Sequence, residues 1–123
     1  MSKEVLNHLH TIAFTHRNLE VEKIGLLHIP LDEQHAKLSP LKTAFNLDEL
    51  LMLSTCNRVE FSFVTQSSVD TEFIYEFLRT AYPSIHEELL TLLVVKIEHY
   101  QGMRAVEHAM SVASSIEIGR AHV

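Results

Sequence analysis

The sequence predicts an α+β fold in which strands and helices share one sheet. Three observations carry that expectation. The chain has 123 residues and is 46% hydrophobic, which fits one small domain with a real core. Two runs, Leu9–Thr15 and Val59–Thr65, are apolar or alternate in the way of strands, whereas Thr71–Tyr82 carries apolar residues at helical spacing. Helical segments come in pairs between the strand runs, so no βαβ series is long enough for a doubly wound sheet.

The elements follow in chain order. Leu9–Thr15 (LHTIAFT) is the first strand, broken by His16-Arg17-Asn18. Leu19–His28 has apolar spacing at Val21, Ile24 and Leu27 and reads as a helix ended by Pro30. Asp32 is placed to cap a helix over Asp32–Phe45, in which Pro40 predicts a kink or a break into two. Leu50–Ser54 is a short continuous apolar run, expected as a buried central strand. Thr55-Cys56-Asn57-Arg58 is the turn into a half-buried strand over Val59–Thr65. Asp70 caps a helix over Thr71–Tyr82, stopped by Pro83, and Ser84 caps a short helix with Ile85, Leu89 and Leu92 inward. Leu93–Tyr100 reads as the fourth strand, broken by Gly102. Met103–Ile116 is the last helix, with Val106, Met110 and Ala113 on one apolar stripe. The order β-α-α-β-β-α-α-β-α closes most simply as a ferredoxin-like split β-α-β sandwich with a C-terminal helix.

Composition excludes several function classes. Sixteen acidic against ten basic side chains give a net charge of −6, which does not draw a phosphate backbone from a distance. No stretch reaches the ~18 continuous apolar residues of a membrane span, and the N-terminus lacks a signal-peptide pattern, so a cytoplasmic location is expected. A single cysteine excludes an internal disulfide and most zinc frameworks. Nine histidines invite a metal reading, but none pairs with a cysteine or carboxylate at a ligand spacing, so no metal is expected. The aromatic run Phe73, Tyr75, Phe77 and Tyr82 reads as helix packing rather than a surface for stacking bases.

Cys56 is the residue of interest. It lies at a strand exit, where rigid scaffolds present catalytic groups. Arg58 can favour a thiolate or grip a substrate carboxylate bidentately, and Thr55 and Asn57 can orient a polar substrate. From the cysteine alone a buried structural role is favoured, because free cysteine is commonly buried.

The wider context shifts that balance. Leu53-Ser54-Thr55-Cys56-Asn57-Arg58-Val59-Glu60 resembles the signature of the glutamyl-tRNA reductases. A second block, Ala105-Val106-Glu107-His108 followed by Val112-Ala113-Ser114, is similar to another stretch of that family in the right order and separation. Phe14-Thr15-His16-Arg17 is a weaker match. The resemblance implies that residues 1–117 are an N-terminal catalytic, glutamate-recognising domain. It implies that Cys56 is the nucleophile, forming a thioester from glutamyl-tRNA(Glu) that NADPH reduces to glutamate-1-semialdehyde for tetrapyrrole synthesis. Thr55, Cys56, Asn57 and Arg58 would contact substrate, with Arg58 on the glutamyl carboxylate, and His108 would be catalytic near the thiol. Members of the family are homodimers and can pass product to an aminomutase.

The chain departs from the family near its end. The family's substrate-binding serine falls at Ile118, and no Gly-x-Gly-x-x-Gly run encodes a dinucleotide site. The NADPH-binding and dimerisation domains are missing, so the chain is expected to be a truncated fragment not competent for the reduction. Ile118–Val123 corresponds in one reading frame to a common sequencing adapter, and the expectation is a non-native tail. Two rival readings are a non-enzymatic α+β binding module with a structural cysteine, and an esterase using Cys56 with His108.

Overall fold

The computed structural model describes the backbone of residues 6–121 and the side chains of residues 6–114. Four strands form one antiparallel sheet: β1 (Leu9–Thr15), β2 (Glu49–Thr55), β3 (Arg58–Val64) and β4 (Glu98–Gln101). Five helices have their full range among the described residues: α1 (Val21–Leu27), α2 (Leu31–Ala44), α3 (Thr71–Ala81), α4 (Glu87–Lys96) and α5 (Met103–Ala121). The spatial order β2-β3-β1-β4 is that of the split β-α-β sandwich, with β3 inserted between β1 and β2.

Alternation along the strands sorts the residues onto two faces. One face carries Ile12, Phe14, Val59, Phe61, Phe63, Leu50 and Met52, covered by α1 to α4. Its centre is aromatic: Phe77 of α3 meets Phe61 edge-on at 5.1 Å and stacks on Phe63 at 5.7 Å. Each such ring, fully buried, contributes roughly 1.5–3 kcal/mol. Tyr82 closes this core and donates its hydroxyl to the Leu27 carbonyl at 2.7 Å, and burial raises its phenol above the usual range. The other face carries Thr11, Thr15, Arg58, Glu60, Ser62, Glu98 and Tyr100, and α5 lies over it.

Several expectations need correction. The run Leu50–Ser54 is an edge strand rather than a central one, and Leu51 is 68% exposed. A continuous apolar run does not reveal its neighbours; here one face of β2 looks onto an open groove. The central strands are β1 and β3, and β3 is more deeply buried than half. Pro40 does not split α2, which runs unbroken from Leu31 to Ala44. Pro40 and Ala36, whose carbonyl loses its helical partner, are both exposed, so the freed carbonyl lies on the solvent side of the helix. Pro30 rather than Asp32 holds the cap position of α2, and His86 rather than Ser84 that of α4. The stretch Leu93–Lys96 is helix, because Leu90 and Leu93 bury one face of α4, and β4 keeps only Glu98–Gln101. On α5, Ala105 is buried, His108, Val112 and Ala113 line a cavity against the sheet, and Met110 of the apolar stripe is 66% exposed. The cap of α3 stands as expected: Asp70 Oδ1 accepts from the Phe73 amide at 2.9 Å. The expected tail Ile118–Val123 lies outside the described side chains.

Candidate active site

The β2–β3 hairpin presents the cysteine. Thr55 pairs with Arg58, leaving Cys56 and Asn57 as a two-residue loop at the sheet's end. Neither is among the described residues with positive φ, so this tip is not the mirror-image turn that favours glycine. Side chains hold it instead: Thr55 Oγ1 donates to Asn57 Oδ1 at 3.0 Å, and the Asn57 amide donates to Thr55 Oγ1 at 3.4 Å. Cys56 is exposed, which excludes the buried structural role. At the base of the hairpin, Ser54 Oγ accepts from the Ile29 amide at 2.9 Å and lies 2.7 Å from His28 Nδ1. His28, read as part of a helix, therefore anchors β2 from beyond the end of α1.

The polar face holds the rest. Arg58 donates to Glu60 Oε2, and Glu60 Oε1 lies 2.7 Å from His108 Nε2. Glu60 is 5% exposed. The Tyr100 ring stacks on His108 at 4.2 Å with the planes 14° apart, and its hydroxyl donates to Glu98. Burial first, then the bond to Glu98, raise the Tyr100 phenol above its ordinary value, with Arg17 nearby opposing. A cavity of about 360 Å³ opens between this face and α5, lined by Glu60, His108, Thr11, Ser62, Leu53 and Val112 among others. Asn18 ties the end of β1 in place: it accepts from the Thr15 amide at 2.7 Å and donates to the Lys96 carbonyl at 2.7 Å.

Of the residues singled out from sequence, Thr55, Cys56 and Asn57 sit together at the hairpin tip. Arg58 and His108 meet through Glu60 rather than directly, and His108 Nε2 pairs with Glu60, not with Cys56. Arg58 spends one nitrogen on Glu60, and a guanidinium has five N–H donors. The sequence pattern assigns no role to Glu60, Tyr100, Glu98 or His28. A signal for Glu60 existed, since it is a charge inside a strand otherwise rich in inward apolar residues. Among the described residues no group of three or more His, Cys, Asp or Glu is placed to hold a metal, and no helix is long and apolar enough to cross a membrane.

Fold and site together define an α+β domain of split β-α-β topology with an exposed thiol at a hairpin tip and a part-buried Arg–Glu–His cluster on the polar face of the same sheet. The family model described as glutamyl-tRNA(Glu) reductase, N-terminal domain, matches residues 12–118, and the chain belongs to that family. It is 34% identical over 114 residues to the glutamyl-tRNA reductase of Campylobacter lari, covering 89% of this chain and 25% of that protein. The glutamyl-tRNA reductase of Synechococcus elongatus is 30% identical over 115 residues, covering 89% of this chain and 24% of its own length. Among solved structures, glutamyl-tRNA reductase from Methanopyrus kandleri superposes with a TM-score of 0.58 at 26% identity, over 90% of this chain and 23% of that one. The chain thus spans about a quarter of the relatives it matches, and those relatives carry the name of an oxidoreductase.

Proposed function

We propose that this chain is the glutamate-recognising, thiol-bearing part of a glutamyl-tRNA reductase. The observation that carries the reading is Cys56, exposed on a hairpin tip in a chain whose relatives bear that name. In the proposed reaction the Cys56 thiolate attacks the ester carbonyl that joins glutamate to tRNA. A C–S bond forms, the ester C–O bond breaks, and the tRNA hydroxyl leaves carrying the thiol's proton. A thioester is more readily reduced than an oxygen ester, which is the reason to pass through sulfur. The donors of Arg58 not engaged by Glu60 suit the glutamyl γ-carboxylate. Thr55 and Asn57 hold the thiol's loop in shape.

The described residues do not fit a nicotinamide cofactor. The sheet is antiparallel throughout, with no crevice between parallel strands, and the sequence has no Gly-x-Gly-x-x-Gly run. We assign NADPH binding and the hydride step to the remainder of the relatives' length, so these 123 residues acylate but do not reduce. A homodimer partner, an aminomutase that takes the product and a cytoplasmic setting belong to the same reading.

Intact-mass spectrometry tests it. Incubation with a glutamyl thioester is expected to add one glutamyl group to the chain and none to Cys56→Ser. Equal labelling of both, or none in a folded wild-type sample, would remove Cys56 as the nucleophile.

A further inference from the structure

Glu60 is a buried carboxylate held at both oxygens, by Arg58 on one and His108 on the other. A carboxylate only accepts, so the 2.7 Å contact requires the proton on His108 Nε2. The Nδ1 of a neutral ring is then a lone-pair acceptor. Stacking on Tyr100 fixes the plane of that ring. Glu60 and His108 both line the cavity of about 360 Å³ under α5.

We propose that Glu60 is a positioning residue, which fixes His108 as the Nε2–H tautomer so that Nδ1 accepts a hydrogen bond from the α-ammonium of a glutamyl group. The proposal deepens the function given above and rests on it. A glutamyl ester carries one strong donor, its α-ammonium; the γ-carboxylate and the ester carbonyl only accept. Arg58 answers the carboxylate. A ring acceptor backed by a carboxylate on its far side answers a cation, since the buried negative charge adds to the attraction of the lone pair. The two recognition groups then share Glu60 as their common support, which sets the distance between them.

Two measurements test this. In chain labelled with ¹⁵N-histidine, imidazole nitrogen shifts report the tautomer of each ring, with His108→Gln supplying the assignment. His108 is expected as Nε2–H, with the tautomers mixing in Glu60→Gln and partial recovery in Glu60→Asp. A dominant Nδ1–H ring in the wild type, or an unchanged tautomer in Glu60→Gln, would overturn the proposal. If Glu60→Gln fails to fold, the wild-type ring and Glu60→Asp decide. The second measurement compares acylation of Cys56 by a glutamyl and a glutaryl thioester, the latter lacking the α-ammonium. Taking the ratio across variants cancels the different reactivity of the two donors. The glutamyl preference is expected to fall about tenfold in Glu60→Gln, the worth of one hydrogen bond to a charged group. An unchanged ratio would overturn the ammonium contact. Absence of acylation by either donor in the wild type would instead overturn the proposed function and the ammonium contact with it, while the ring shifts would still decide whether Glu60 fixes His108.

Discussion

The two faces of the sheet are built from the same strands and serve different ends. On one, Ile12, Phe14, Phe61 and Phe63 disappear beneath four helices. On the other, Thr11, Ser62, Glu60 and Arg58 alternate with them in the same strands, under the single helix α5. Alternation places Glu60 between two anchored apolar neighbours, Val59 and Phe61. The packed face therefore holds the polar face still, and a buried carboxylate is tolerated because its partners are already in place.

That division predicts unequal responses. Phe77→Ala empties the centre of the packed face and should cost about 3–5 kcal/mol in urea unfolding. A loss below about 1 kcal/mol would mean that the aromatic cluster is not the main support. Acid should weaken the packed face next. His10, 3% exposed, stacks on Phe63 and lies 2.9 Å from His99 Nε2. Burial, then the charges of His99 and His8, lower it from 6.5 to about 4, and burial lowers His99 as well. The unfolded chain thus takes up protons near pH 6.5 that the folded one refuses until about 4. Stability is complete above pH 6.5 and falls as pH drops toward 4, by at most about 3 kcal/mol for His10. Midpoints in urea measured from pH 7.5 to 4 should show the fall, and His10→Phe should flatten it; an identical slope in the variant would discard His10 as the cause. Asp70→Ala removes the cap of α3 and should cost about 1 kcal/mol by the same assay. Cys56→Ser, at the exposed tip, should change stability by less than about 0.5 kcal/mol. A larger change would tie the hairpin tip to the core.

Much of this was legible in the residues because local chemistry decided it. The first strand, the order of the strands and helices from β1 to α5, the Cys56 turn and the Asp70 cap follow from periodicity and capping. What stayed hidden depends on neighbours remote in sequence. Leu51 has the composition of a core residue and becomes exposed only because β2 lies at the edge. Leu93–Lys96 satisfies strand and helix alike until Leu90 supplies the other half of a buried helical face. For the site, the cysteine and Arg58 stood out by type and spacing, but Glu60 gains its meaning from His108, 48 residues away.

The two-residue loop at Cys56 also makes the site intolerant of length change. One residue inserted after Asn57 would slide β3 by a step, sending Phe61 and Phe63 toward the open groove and Glu60 into the aromatic core. The chain can vary the side chains of this hairpin but not count them differently. The core thereby acts as a ruler for the distance along the strand from thiol to carboxylate.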